Sequence, residues 1–112
     1  MNLEHRTVGS VDIVKMPARL VMVDAGEVRN NLRRIIKQSS ARLILDLRDM
    51  EFIDSSGLAT LVNSLQAARK RQGDICLIHM NDTVRTLFEL TQLLNVFNVC
   101  DSEEGAIEAL TA

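Results

Sequence analysis

An apolar run near the middle of the chain constrains the fold more than any other feature. Residues 43–47 read Leu-Ile-Leu-Asp-Leu, with Asp46 as the one interruption. Such a run is typical of a strand that is covered on both faces, as strands are in the centre of a parallel sheet. Because parallel neighbours must be joined by a crossover, usually a helix, the run predicts an α/β fold.

Further strand patterns lie on both sides of this central run. Apolar residues that alternate or follow one another predict strands at 11–16, 20–23, 75–78 and 96–99. Pro17 separates the first two and marks a turn at a sheet edge, because proline cannot donate to a strand ladder. No repeat or Gly/Ser-rich linker interrupts the 112 residues, so we predict one domain over residues 1–112.

Four helices are predicted to alternate with these strands. Their starts are marked by capping residues: Asp24 (with Glu27 as a capping box), Asp54, Asn81 and Ser102. The first helix should end near Ser39, and Gly73 should close the second. After two initial strands, helices and strands alternate to the end of the chain. This order predicts a mixed sheet with a parallel core and right-handed crossovers.

Charge and hydropathy exclude two classes of partner. Thirteen Lys and Arg against fifteen Asp and Glu leave a net charge of -2, without the basic excess that nucleic-acid binding requires. No apolar run approaches the roughly 18 residues of a membrane span, and the first residues show no signal-peptide pattern. We therefore expect a cytoplasmic protein that binds neither nucleic acid nor membrane.

Cysteine and histidine usage gives no reason to expect a metal or a cofactor. Cys76 and Cys100 stand far apart in the chain and in apolar contexts, which favours two buried structural thiols. His5 and His79 have no second histidine or carboxylate at a ligand spacing. We predict that the protein uses no cofactor.

The turn Asp54-Ser55-Ser56-Gly57 follows the central strand and opens the second helix. In α/β sheets, functional groups collect where the carboxyl ends of strands meet helix N-termini. A hydroxyl at such a point lies beside unpaired backbone N–H groups and the positive end of the helix dipole, which stabilise a dianion. Simple helix capping by Asp54 or Ser55 explains the turn as well, so these residues alone leave both explanations open.

The segment around this turn resembles a known family signature. Residues 43–47, followed by Met-Glu-Phe-Ile-Asp-Ser-Ser-Gly-Leu-Ala at 50–59, resemble the signature of bacterial anti-sigma factor antagonists, which are small STAS-domain proteins. The resemblance implies that a partner kinase phosphorylates Ser55, with Ser56 as a neighbour that is not the usual acceptor. It also implies partner switching. The unmodified protein sequesters an ATP-dependent serine kinase that is also an anti-sigma factor or a similar regulator, phosphorylation releases this kinase, and a PP2C-type phosphatase resets the cycle.

Two departures from the family pattern concern the partner surface. Ala59 stands where many members have glycine, and residues 18–21 (Ala-Arg-Leu-Val) lack the acidic residue that the family tends to show before its first helix. Asp24, three positions later, is the candidate to replace that residue. The resemblance implies a regulator without catalytic activity, and we expect it to be monomeric when free.

Helical spacing in the second helix predicts which residues meet the partner. Leu58, Leu61, Val62 and Leu65 are expected to face the sheet. The candidate partner-binding residues are then Asp54, Ser56, Gly57, Ala59, Thr60, Asn63 and Asp24. The outward positions among them form a small, weakly charged surface that starts at Ser55.

Three other functions stay open. A hydrolase would use Ser55 as its nucleophile, but the Gly-x-Ser-x-Gly elbow is absent. A receiver-like phospho-aspartate domain would use Asp46, but Lys15-Met16-Pro17 stands where that family has an acidic pair. A STAS-type nucleotide- or ligand-binding adaptor of a secretion or lipid-transport complex would use the helix N-terminus for a phosphate. No Gly-rich loop with a following lysine supports nucleotide binding.

Overall fold

The computed structural model describes residues 3–112, in which three strands precede the first helix and strands and helices then follow one another to the end. The strands are β1 (His5–Val8), β2 (Val11–Lys15), β3 (Arg19–Leu20), β4 (Arg42–Asp46), β5 (Phe52–Ile53), β6 (Asp74–Ile78) and β7 (Asn98–Cys100). The helices are α1 (Met22–Gln38), α2 (Ser55–Lys70), α3 (Asp82–Leu90) and α4 (Glu103–Thr111), with a 3-10 turn at Leu93–Asn95.

Five of the strands form one mixed sheet in the order β1-β2-β4-β6-β7. The β1–β2 pair is an antiparallel hairpin, and the other three pairs are parallel. β4 lies at the centre, where Ile44 is opposite Ile13 of β2 and Cys76 of β6. β3 and β5 form a separate parallel pair. The predicted fold class, an α/β fold whose mixed sheet has a parallel core and about four helices, is confirmed.

The sheet is covered on both faces, which explains the continuous apolar run of the central strand. Leu43 and Leu45 belong to the larger core cluster, which α1, α2 and α3 complete. Ile44 points to the opposite face and packs in a smaller cluster with residues of α4. Among residues 3–112, no helix has both the length and the apolar content needed to cross a membrane.

The start of the chain differs from the sequence prediction in two strands. The hairpin strand β1 was not predicted, and the strand predicted at 20–23 is wrong, because β3 ends at Leu20 and α1 begins at Met22. β1 is exposed along its whole length, so it carries no pattern of buried residues. The side chains of β1 contact β2 through hydrogen bonds. The buried Asp12 carboxylate accepts one from His5 Nε2 at 2.7 Å and one from Thr7 Oγ1 at 3.1 Å.

The capping box predicted at Asp24 and Glu27 is also wrong. The N-cap position of α1 is Val21, which makes no side-chain cap hydrogen bond, and Asp24 lies within the first turn. The cap comes from another part of the chain, because the backbone N–H of Met22 donates to the carboxylate of Asp54 at 3.0 Å. A side chain distant in sequence therefore replaces the local cap.

The end of α2 and the last strand need smaller corrections. Gly73 does not supply the left-handed residue after α2. Gln72 does, with φ of 66°, while a Cβ on Gly73 would lie 1.9 Å from the carbonyl oxygen of Ala41. The last strand was predicted at 96–99 but begins at Asn98. Phe97 turns into the core, where its ring packs edge-on against Phe88 with centroids 6.0 Å apart.

Candidate functional site

The carboxylate of Asp54 caps two helices at once. Its Oδ1 accepts from the backbone N–H of Gly57 at 2.9 Å, which caps α2. Its Oδ2 accepts from the backbone N–H of Met22 at 3.0 Å, at the start of α1. Both helix dipoles favour a negative charge at this place. The predicted capping by Asp54 is thus confirmed, and it also holds the N-terminal ends of α1 and α2 side by side.

Replacing this shared cap should destabilise the fold by about twice the effect of an ordinary cap. We expect Asp54→Ala to lower the free energy of unfolding by about 2 kcal/mol, from about 1 kcal/mol for each lost cap. Ser102→Ala is the matched control, because Ser102 caps α4 alone through Gly105 N at 3.0 Å. Urea denaturation of both variants measures the difference. Equal losses would contradict a joint role of Asp54 at the two helices.

Ser55 and Ser56 have different environments although they are adjacent. Ser55 is the first residue of α2 and is exposed, and no hydrogen bond of its hydroxyl occurs among the described residues. Ser56 is half-buried, and its carbonyl oxygen accepts a hydrogen bond from Thr60 Oγ1 at 3.0 Å. A phosphate on Ser55 would lie at the N-terminus of α2, where the first backbone N–H groups lack helical partners. Of the two serines, Ser55 is the more exposed one.

A shallow apolar groove runs along α2 from Ser55. We call it the α2 groove. It measures about 340 Å³ and is lined by Ser55, Leu58, Ala59, Val62, Asn63, Gln66, Thr91 and Leu93. None of these residues carries a charge. Leu58 and Val62 were predicted to face the sheet like Leu61 and Leu65, but they are only half-buried and contribute to both the core and the groove.

Thr60 was predicted as an outward residue of α2, and this is wrong. Its relative exposure is 3%, because α1 packs against this side of α2. Its hydroxyl donates to Ser56 O and lies 3.4 Å from Ala25 O on α1. Ala59 and Asn63 are exposed as predicted. The surface of α2 that a partner can reach therefore lies on the side away from α1.

Gly57 is buried as well, so any effect on a partner must be indirect. A Cβ on this residue would lie 2.2 Å from the carbonyl oxygen of Leu20 in β3. The absence of a side chain lets the first turn of α2 lie against that strand. Gly57 therefore sets the position of Ser55 and of the α2 groove.

Exposed apolar residues beside this site were missed at the level of sequence. Met22 and Val23 open α1 with relative exposures of 76% and 86%. The sequence pattern assigns these two residues to a strand. Their large apolar side chains are the only signal in the sequence that could indicate an exposed surface. Asp24 follows them in the first turn of α1 and is half-buried. The two helix starts together present an apolar rim with few charges.

A larger cleft of about 540 Å³ lies elsewhere, beside β1 and β2, and its charges are largely paired within the chain. Arg6 forms an ion pair with Glu103, and Lys15 forms one with Asp49 at 2.9 Å. Asp49, together with Glu4 and Asp46, raises the pKa of Lys15 above its ordinary value, mainly through the hydrogen bond to Asp49. In the described part of the chain, no group of three or more His, Cys, Asp or Glu is arranged to hold a metal ion.

Comparison with known protein families identifies the domain. The STAS domain family matches residues 2–106. This chain belongs to the STAS-domain family. BtrV of Bordetella bronchiseptica, assigned as an anti-sigma factor antagonist, is 29% identical over 77% of this chain and 74% of its own length. The anti-sigma F factor antagonist of Paenibacillus polymyxa is 23% identical over 98% of this chain and 93% of its own length.

Solved structures have the same fold. A crystal structure of a Thermotoga maritima protein, assigned as an anti-sigma factor antagonist, superposes with a TM-score of 0.90 at 25% identity, over 98% of this chain and 95% of that one. The anti-sigma factor antagonist SpoIIAA in its unphosphorylated form gives 0.74 at 18% identity, over 99% of both chains. SpoIIAA has also been solved in a phosphorylated form, with a TM-score of 0.72 at 19% identity over 96% of this chain and 98% of that one. The relatives are thus antagonists of anti-sigma factors, a class of regulatory binding proteins.

Proposed function

We propose that this STAS protein is a phosphorylation-controlled antagonist of an anti-sigma factor. In its unphosphorylated form it sequesters a partner that is both a serine kinase and an anti-sigma factor. ATP-dependent phosphorylation of Ser55 by that kinase releases it, and a PP2C-type phosphatase restores the binding form. The protein itself catalyses no reaction and acts in the cytoplasm.

One observation carries this proposal: Ser55 is an accessible hydroxyl at the end of an uncharged groove. The partner would contact the groove through Ala59 and Asn63. Ser56 and the exposed start of α1 lie next to Ser55 and Asp54, at the end of this groove. A phosphate on Ser55 would then introduce a dianion into a contact whose lining residues carry no positive charge. The same residue can therefore be accessible to a kinase and decisive for the affinity.

The relatives support the proposal from an independent side. Two of them are anti-sigma factor antagonists by name, and SpoIIAA exists in unphosphorylated and phosphorylated forms. Asp54 supports the switch in a different way. Because its carboxylate holds both helix starts, the groove keeps its shape when Ser55 changes its charge.

The decisive experiment combines capture with mapping of the phosphate. The unphosphorylated protein is used as bait in an extract of its source bacterium, and the captured protein is identified by mass spectrometry and incubated with the bait and labelled ATP. We expect a kinase that places phosphate on Ser55, with no label on Ser55→Ala and normal label on Ser56→Ala. A label that persists in Ser55→Ala, or a captured protein without kinase activity on this chain, would contradict the proposal.

A charge placed in the α2 groove should weaken this binding without any phosphate. We expect Ala59→Arg to reduce affinity for the captured kinase by about tenfold or more, since a close-fitting contact would have to bury an unmatched cation. Ala109→Arg is the matched control, because Ala109 is an exposed alanine on α4, across the sheet from the groove. Titration calorimetry compares the two. Unchanged affinity in Ala59→Arg would mean that the partner binds another face.

A further inference from the structure

The two cysteines of the chain meet beneath α4 although they are 24 positions apart. Cys76 lies in β6, and Cys100 is the last residue of the neighbouring strand β7. The Cys76 thiol donates to the sulfur of Cys100, with the two Sγ atoms 3.1 Å apart. Cys76 belongs to the smaller core cluster on the α4 face of the sheet, and Cys100 packs against that cluster. The prediction of two buried thiols is confirmed for Cys76, but Cys100 is only half-buried.

We propose that Cys76 and Cys100 form a reversible intramolecular disulfide when the protein meets a peroxide. The sulfurs must approach by about 1 Å to reach the bond length of a disulfide. The position of Cys100 allows this movement. It ends a strand of three residues at the edge of the sheet, and a bend at residues 101–102 follows it directly.

The two thiols would take different parts in the reaction. Cys76 is fully buried, and desolvation is the main reason why its pKa is raised to about 12. It therefore stays protonated at neutral pH and is shielded from solutes. Cys100 is partly accessible, so it is the thiol that meets the oxidant.

The chemistry proceeds in two steps. The Cys100 thiolate attacks the O–O bond of hydrogen peroxide, so that an S–O bond forms, the O–O bond breaks and hydroxide leaves, giving a sulfenic acid. The sulfur of Cys76 then attacks that of Cys100. The S–S bond forms, the S–O bond breaks, and water leaves with the proton of Cys76. In sum, two thiols are oxidised to one disulfide, and one peroxide is reduced to two waters.

This modification is separate from the proposed phosphorylation. The cysteines lie on the α4 face of the sheet, whereas α2 and its groove lie on the opposite face with the larger core. A covalent bond between β6 and β7 would restrain the edge strand β7, which already pairs with β6 in the sheet. We expect oxidation to raise the midpoint of denaturation and to leave phosphorylation of Ser55 unchanged.

Thiol counting tests the proposal on the intact protein. Reduced wild type is treated with hydrogen peroxide, unfolded, alkylated and weighed by mass spectrometry. We expect loss of both alkylatable thiols, a mass lower by two hydrogens, a monomer on a non-reducing gel and full recovery with dithiothreitol. Peptide mapping should join the peptide that contains Cys76 to the peptide that contains Cys100.

Single variants separate the two parts of the reaction. Cys100→Ser changes the half-exposed residue, and it should leave Cys76 reduced after the same treatment. Cys76→Ala should leave a sulfenic acid on Cys100 that dimedone traps. Should the wild type keep both thiols, cross-link only between molecules, or over-oxidise Cys100 to a sulfinic acid while Cys76 stays free, the proposal is wrong. None of these outcomes depends on the function of Ser55.

Discussion

Phosphorylated at Ser55, the protein should bind its kinase partner roughly 100 to 4,000 times more weakly than the unmodified protein does. The modification adds about -1.5 to -2 charges at the end of the α2 groove, whose lining carries no charge. Burying such a charge without a matching cation costs on the order of 3–5 kcal/mol. Titration calorimetry of the two forms against the captured kinase measures this ratio.

Variants at the two serines provide the controls for this result. Ser55→Ala should keep the affinity of the unmodified protein, and Ser55→Asp should lose part of it, because aspartate carries one charge on a shorter side chain. Ser56→Ala should behave as wild type in both states. Backbone chemical shifts should move only around the start of α2 on phosphorylation. Changes spread through the sheet would mean that the phosphate acts by refolding the protein, and equal affinities of the two forms would exclude the switch.

Gly57→Ala should be among the most destabilising single changes in this chain, with a loss of about 3 kcal/mol in the free energy of unfolding. The added Cβ would lie 2.2 Å from Leu20 O and 2.6 Å from Cγ1 of Ile53, so α2 must move away from β3. A backbone oxygen in a paired strand cannot yield as the end of a flexible side chain can. Urea denaturation measures the loss.

Gly26→Ala is the matched control for this prediction. Gly26 also lies within a helix, but apart from its own stretch of that helix no atom of residues 3–112 lies within 4 Å of its added Cβ. Alanine there should raise the free energy of unfolding by roughly 0.5–1 kcal/mol, because glycine is a poor helix residue. Opposite signs for the two variants would confirm that the contact with Leu20 decides the effect. A similar small gain in both would refute the close packing at Gly57.

The central strand and the starts of three helices can be predicted from local sequence patterns. The central strand β4 is recognisable because both of its faces are covered, which leaves an apolar run that only Asp46 interrupts. The starts of α2, α3 and α4 are recognisable because Asp54, Asn81 and Ser102 cap the residue three positions later in the chain. The position of Ser55 at the start of α2 follows in the same way, whereas its choice as the phosphate acceptor rests on the resemblance to the anti-sigma factor antagonist signature.

Other features of the site depend on residues that only packing brings together. The second hydrogen bond of Asp54 joins residues 32 positions apart, so no local pattern predicts that Asp54 caps the start of α1. Thr60 is predicted as an outward residue of α2, but α1 packs against it at Ala25 and buries it. The hairpin strand β1 has no apolar pattern because all of its residues are exposed. Its side chains contact β2 through a polar residue, the buried Asp12.

The sequence by itself thus determined the α/β class, the order of the main elements and the place of Ser55 at a helix start, because periodicity and capping act within a few residues. The tertiary structure decided the shape of the surface around Ser55 and the meeting of Cys76 with Cys100. Both depend on how helices and strands pack across the sheet. Such packing depends on contacts between segments that are distant in the sequence, and these contacts cannot be predicted from periodicity or capping.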